Sequence, residues 1–484
     1  MRESRPAIPP KGPGVAEHEL PASIEAGDAP TLKQGKMSVA AVTAFALTAL
    51  QVGPNLSQSA AYMQSTAGSG SWISLFAALV LSLLIAAALN LYARRSAVSG
   101  SLVSYAQMAF GRPGTILVGS CLFVAYSAAL SATATTAVLF GIGTLVDVGF
   151  NSGDPWTMEF SGVALITGLA AALAYRGIDT SVRVSVTLGF VCVPVIVGVL
   201  LAALLRHGVH AGGQFNFAQI PWRSVITGVT VSFGFFVGFD GVTSLAAETR
   251  DPLKNVPIIL LATLTIYGLI VVGSCLLEAP LVREHARDLD QGMSPLAVLA
   301  HQGAWPILGT VGDACIMLAS TAATIAFLNY GARVSATAAV DGLLPLWLAA
   351  IHPHFRSPHR AVLVQGCLGV VLPFAVSAGF HTSPLDLTIY VSNMMVFMWL
   401  IPYIIVCAGA VVIGRRQTGS LRGMLAGVIG AIFCLWLLVN SLSISHSDPN
   451  WSLALLSYAL VGICALACSL VMARRGTVAI SINR

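Results

Sequence analysis

Charge is the scarcest property of this chain. Only 9% of its 484 residues are Asp, Glu, Lys or Arg, against about 25% in a soluble globular protein, which excludes a water-facing surface over most of its length. Lysine is missing from the core of every long apolar run. The nine cysteines (Cys121, Cys192, Cys275, Cys315, Cys367, Cys407, Cys434, Cys464 and Cys468) form no C-x-x-C pair and all fall inside apolar runs. They read as small packing residues and argue against a disulfide framework or a zinc ribbon. No Ser/His/Asp set or metal cluster falls at membrane depth, so an enzyme is not expected. Residues 1–36 lack the short apolar core of a signal peptide and mix Pro, Gly, Ala and charge without periodicity. They read as a disordered cytoplasmic tail, with the first apolar segment retained.

Apolarity is abundant instead. Hydrophobic residues make up 56% of the chain, the mean hydropathy is +0.82, and runs of about 20 residues, long enough to cross the hydrocarbon core, recur throughout. Twelve spans are expected: 37–65, 72–92, 115–146, 158–175, 184–205, 224–249, 257–279, 306–332, 361–380, 387–413, 423–444 and 452–473, with a tail at 474–484. Threaded with the amino terminus inside, the inner loops and carboxyl tail hold sixteen Lys/Arg, among them Arg94, Arg95, Arg356 and Arg415. The outer loops hold four (Arg206, Arg223, Arg283 and Arg287) and are otherwise acidic or neutral, with Asp147, Asp154, Glu159, Asp288 and Asp290 among their acids. The positive-inside rule then places both termini in the cytoplasm of a cell whose plasma membrane holds the chain. The basic residues are orientation anchors, so nucleic acid is not an expected partner.

Two spans are interrupted. Span one carries Gln51, Gly53, Pro54 and Asn55 at its middle, and proline there predicts a kink or opening near Gly53. The half-helix beyond would aim free amides at the bilayer midplane, an anion site. Span six carries Gly234, Gly238 and Gly241 with Asp240 between them, then Glu248, Arg250, Asp251 and Lys254 at its exit. Broken helices are tolerated at membrane depth only where they line a cavity or are buried in protein, and an intramembrane acid should face one or the other. Together these features suggest a solute pathway. Five spans separate the starts of the two broken ones, an odd offset that makes the second copy inverted. The expected plan is 5+5 spans (37–205 and 224–413) followed by two additional helices (423–473).

The stretch S-F-G-F-F-V-G-F-D-G-V-T-S-L-A-A-E-T-R-D-P-L-K-N-V-P resembles the sixth helix of the amino acid–polyamine–organocation permeases, through Phe236, Gly238, Phe239, Asp240, Ala246, Glu248, Pro252 and Pro257. A second run, Asn329, Arg333, Asp341, Gly342 and Pro345, resembles the family's N-x-x-x-R and D-G-x-x-P signature. Weaker likenesses lie at Gly100, Ser104/Tyr105, Phe110 and Gly111 (with Val98 and Ser99 departing from the pattern), at Gly177 and Arg183, and at His352, Pro358 and Ala361. The last favours a structural role for His352, His354 and His359 over a metal site. The resemblance covers most of residues 37–413. It implies an all-α polytopic membrane protein of 12 transmembrane helices with the 5+5 inverted-repeat (LeuT-like) fold and discontinuous helices 1 and 6.

By that resemblance the chain is a secondary transporter moving amino acids or related small nitrogenous solutes by alternating access, as a monomer or homodimer in the lipid bilayer. The alternatives are a polyamine or amine carrier, or a nutrient sensor that keeps the fold without transporting. The substrate-binding candidates are Gln51, Gly53, Pro54, Asn55, Tyr126, Phe233, Gly234, Phe236 and Gly238. The coupling or gating candidates are Asp240, Glu248, Ser320 and Thr321, with Thr324 as a further hydroxyl facing span one. No cofactor or metal is expected, only a coupling ion, H+ or Na+. Where proton-coupled relatives carry a lysine in span five this chain has Val193, which argues against a lysine-based mechanism. The first break departs from the usual G-S-G, since Pro54 has no amide to donate and Asn55 fills ligand space while offering its own donor and acceptor. Asp240 has three open roles: attracting an ammonium group, taking up a proton, or locking the helix through a hydrogen bond.

Overall fold

The two interruptions organise the bundle. The computed structural model describes residues 35–482 apart from 97–99, 151–153, 209–213, 219, 286, 288, 290–292, 304, 419 and 444. The expected tail through residue 34, together with Val98, Ser99, Asp288, Asp290 and Arg484, lies outside the described residues. Span one consists of α1 (Val39–Ala49) and α2 (Val52–Ala67), parted at Leu50–Gln51. The break therefore falls earlier than Gly53 and Pro54 suggested. Pro54 sits in the first turn of α2, where a missing N–H costs nothing, so it starts the second half-helix instead of kinking one long helix.

Next come α3 (Ser71–Ala93), α4 (Leu102–Asp147), α5 (Pro155–Tyr175), α6 (Ile178–Val191) and α7 (Val193–His207). The run before span three, which lies outside the expected spans, is already helical from Leu102, the first residue of α4, and α4 kinks at Gly111, whose φ of 64° only glycine adopts readily. Span six begins as α8 (Trp222–Phe233), turns through Gly234–Gly238, and continues as a 3₁₀ segment, Phe239–Glu248. There follow α9 (Pro252–Glu284), α10 (Pro295–Gln302), α11 (Ile307–Val340), α12 (His359–Phe380), α13 (Pro384–Ile413), α14 (Leu421–Leu442) and α15 (Pro449–Ile482).

Among the described residues eleven helices are long and apolar enough to cross a membrane. The expected span not among them is the sixth, 224–249, which is broken into Trp222–Phe233 and Phe239–Glu248, neither long enough alone. At the centre α4 packs along α11 and α13, and small residues permit the approach: a Cβ on Gly369 of α12 would meet Leu130, and one on Gly331 of α11 would meet Tyr126. At one end, here the near end, the chain start is stitched to the exit of span six. Met37 N–H donates to the Glu248 carbonyl (2.9 Å) and Arg250 N–H to the Met37 carbonyl (3.0 Å), as a parallel bridge between Met37 and Thr249.

Candidate functional site

At the first break Gln51 is left-handed (φ 54°, ψ 48°), which costs a non-glycine residue roughly 1–2 kcal/mol. Its side chain is held in return, because Ser320 Oγ on α11 donates to Gln51 Oε1 (3.0 Å). One turn on, Asn55 Nδ2 donates both to the Leu50 carbonyl across the break (3.0 Å) and to the Tyr267 hydroxyl on α9 (2.8 Å). Tyr267 donates onward to the Phe235 carbonyl in the turn of span six (2.9 Å). One carboxamide and one phenol thus tie the two breaks together.

Between them lies a cavity of about 340 Å³, within the usual range for small-molecule sites. One face of α2 lines it through Gln51, Asn55, Gln58, Tyr62 and Thr66, spaced as successive turns of a helix. Thr133 and Thr136 of α4, Thr388, Ser392 and Asn393 of α13, and the apolar Phe235, Val237 and Phe327 complete most of the wall. Among the described residues the lining contains four carboxamides and no Asp, Glu, Lys, Arg or His.

Of the residues expected at the site, Gln51, Asn55 and Gly234 line this cavity; the rest are placed behind or away from it. Gly53 is buried against Cys192, whose Sγ a Cβ there would strike, and Pro54 is buried beside it. Tyr126 is buried edge-on to Trp399 (4.8 Å between ring centroids). Phe233 packs between Tyr403 and Phe433, and Phe236 against Tyr267. The aromatic at the cavity from this stretch is Phe235. Gly238, at φ 89°, donates its amide to the Tyr403 hydroxyl (3.3 Å) and leaves no room for a Cβ beside the Phe327 ring.

Asp240 is fully buried. Its Oδ1 accepts from the Tyr403 hydroxyl (2.6 Å) and from Trp399 Nε1 (3.0 Å), while Oδ2 has no partner among the described residues. Glu248 forms a two-pronged buried pair with Arg333: Nε donates to Oε2 (2.7 Å) and the terminal Nη2 to Oε1 (3.0 Å). Nη1 of Arg333 is held by both the Asn329 carbonyl and its side-chain oxygen (3.0 Å each). The N-x-x-x-R half of the second signature, Asn329 and Arg333, therefore meets the end of the first at Glu248. Just past α11, partial burial raises the Asp341 carboxyl above its ordinary value. Thr321 donates to the Met317 carbonyl of its own helix, and Thr324 lies between Ser320 and Thr133. His352 and His359 pack with Phe355 around Tyr175.

Several residues of this region escaped the sequence reading. The α2 stripe through Gln58 and Tyr62 was available as a continuation of Gln51 and Asn55 at helical spacing. Phe327 and Tyr267 carry no local signal, since each is one aromatic residue in an apolar helix. Glu278, a lone acid in span seven, did carry one.

Two broken spans, a cavity between them and, among the described residues, ten further helices long and apolar enough to cross a membrane mark a membrane transporter. The family model described as amino acid permease matches residues 37–468, and the chain belongs to that family. It is 25% identical to the branched-chain amino acid permease of Bacillus subtilis over 394 residues, covering 78% of this chain and 81% of the relative. It is 24% identical to the methylthioribose transporter of the same organism over 422 residues, covering 82% and 88%. An uncharacterized transporter of Mycobacterium tuberculosis is 26% identical over 379 residues, covering 76% and 78%.

Proposed function

We propose that this protein is a secondary transporter for amino acids of no net charge with apolar side chains, working by alternating access. The observation that carries the substrate class is the lining of the central cavity, which is polar through carboxamides and hydroxyls and has no charged side chain. A zwitterion's two charges can be met by half-helix amides and carbonyls, whereas a further charge on the side chain would enter without a counter-ion. This lining weighs against a polyamine or other polycation, and Phe235, Val237 and Phe327 offer an apolar side chain its contacts. A relative that is a branched-chain amino acid permease fits this reading.

The broken stretch at 222–248 is the sixth of twelve spans, and the breaks at 50–51 and 234–238 are equivalent positions of a 5+5 inverted (LeuT-like) repeat, with both termini cytoplasmic. A second reading is an uncharged, hydrogen-bonding solute, favoured by the same four carboxamides and by a relative that transports methylthioribose.

The test is counterflow in proteoliposomes with labelled leucine, lysine, putrescine and a thiopentose. Leucine should exchange at least about tenfold faster than lysine or putrescine, the factor that 1.4 kcal/mol of unpaired charge would produce. Faster exchange of a dication would overturn the proposal, and preference for the thiopentose would establish the second reading. Leucine that raises the melting temperature without being exchanged would indicate a sensor.

A further inference from the structure

The far end of α9 holds a carboxyl that the cavity does not use. Glu278 is fully buried, and among the described residues neither of its carboxylate oxygens has a hydrogen-bond partner. The surrounding run, V-V-G-S-C-L-L-E-A-P-L-V, is otherwise apolar. The elements packed against α9 carry Tyr62 on α2, Tyr92 on α3, Asp240 and Glu248 in the 3₁₀ segment, and His301 on α10. None of these is bonded to Glu278; Cys275, one turn back on the same helix, is within its electrostatic reach. A bare carboxylate in such a place would bear the whole cost of leaving water with nothing to offset it.

The turn that carries this group lacks one bond of its own helix. Pro280 has no N–H, so the carbonyl of Leu276, four residues earlier, loses its helical partner. Gln214, from the connection between α7 and α8, supplies the missing donor through Nε2 (2.6 Å). The Gln214 backbone carbonyl is in turn fixed by Trp72 Nε1 (3.3 Å), and its side-chain oxygen is buried without a partner among the described residues. A turn fastened by one external side chain is a local place for α9 to open, and its cargo is an acid. Glu278 lies 26 residues from the start of α9 at Pro252, roughly 39 Å along the helix, and so is near the end of the bundle away from the Met37–Thr249 stitch.

We infer that Glu278 is a proton-binding site that makes opening of the far end of α9 dependent on pH. In the packing seen here it is the neutral acid. When the Gln214 contact opens, the carboxyl meets water and releases one proton, and closure requires that proton back. Gln214 is a positioning residue for this step. The inference rests on the transporter reading for its effect on exchange, but the protonation state can be read independently.

Two measurements on the full-length protein in liposomes test it. The infrared difference between wild type and Glu278→Gln at pH 7 should show the carbonyl band of an unbonded carboxylic acid; a carboxylate band in its place would overturn the proposal. Counterflow of leucine as a function of far-face pH should titrate in wild type and be flat in Glu278→Gln, since the amide imitates the neutral acid. Gln214→Ala should move the wild-type midpoint to lower pH, because a hydrated carboxyl gives up its proton more readily. Identical pH profiles for wild type and Glu278→Gln would also overturn it. Absence of counterflow in wild type would refute the proposed function instead, with the infrared band still deciding the state of Glu278.

Discussion

Asp240 earns its place in an apolar span by what it accepts. Tyr403 and Trp399, both from α13, donate to the same oxygen, and the Tyr403 hydroxyl in turn receives the Gly238 amide. The carboxylate therefore fixes the end of the turn in span six to the scaffold, which favours the locking role over direct contact with a solute. Asp240→Leu would leave a buried phenol and a buried indole N–H unpaired, at about 1–3 kcal/mol each. Asp240→Asn keeps an acceptor oxygen and should lose less than half as much. Thermal unfolding in detergent measures both, and equal losses in the two variants would refute the pin. Leucine exchange by Asp240→Asn should keep the wild-type pH dependence; a lost dependence with unchanged stability would restore the proton role. Asp240 was legible in the sequence because a charge inside an apolar run has to be explained. Its partners were not, because Trp399 and Tyr403 lie some 160 residues away and look like ordinary aromatics of span ten.

At the scale of elements, glycine and proline were read correctly as interruptions but not always at the right place. In span six Gly234 and Gly238 bound the turn itself, with Gly238 at positive φ, while Gly241 lies beyond it in the 3₁₀ segment against Tyr330. In span one the left-handed residue is Gln51, a residue type with no preference for that conformation. Gly53 and Pro54 serve the start of α2 instead, Pro54 by suiting a first turn and Gly53 by letting α2 lie against the junction of α6 and α7 at Cys192. That contact yields a prediction. Gly53→Ala would drive a methyl group into Cys192 Sγ and should cost about 1–3 kcal/mol of stability, the usual penalty of overpacking. Cys192→Ala, which removes the sulfur, should recover more than half of that loss in the double variant, as read by the shift in melting temperature. No recovery would mean that Gly53 is needed for the backbone at the break and not for packing.

For the whole molecule, an all-helical chain with many apolar spans, eleven of them found among the described residues, was readable from composition and periodicity, and so was the fact that two stretches are interrupted. Which end stands closed was not, because that depends on pairings between distant residues. Glu248 at the exit of span six meets Arg333 of α11, and the same exit is stitched to Met37 at the chain start. The cavity, by contrast, extends from the breaks along α2 as far as Thr66, about 22 Å at 1.5 Å per residue. In the proposed alternating-access cycle, a near end pinned by these contacts and a cavity running toward the far end are the features of one limb. If so, Ser392→Cys, on the cavity wall, should react with a membrane-impermeant thiol reagent added at the far face and be protected by substrate. Ser335→Cys, buried in α11 two residues beyond Arg333, should stay unreactive from the near face. Breaking the pair changes the balance: Glu248→Gln leaves the buried guanidinium without its counter-charge, a loss of about 3–5 kcal/mol when one partner of a buried pair is removed. Because that cost falls on the closed near end, Glu248→Gln should expose the cysteine at 335 to near-face reagent and slow labelling at 392. Unchanged labelling at both positions would show that the Glu248–Arg333 pair holds the fold together without gating it.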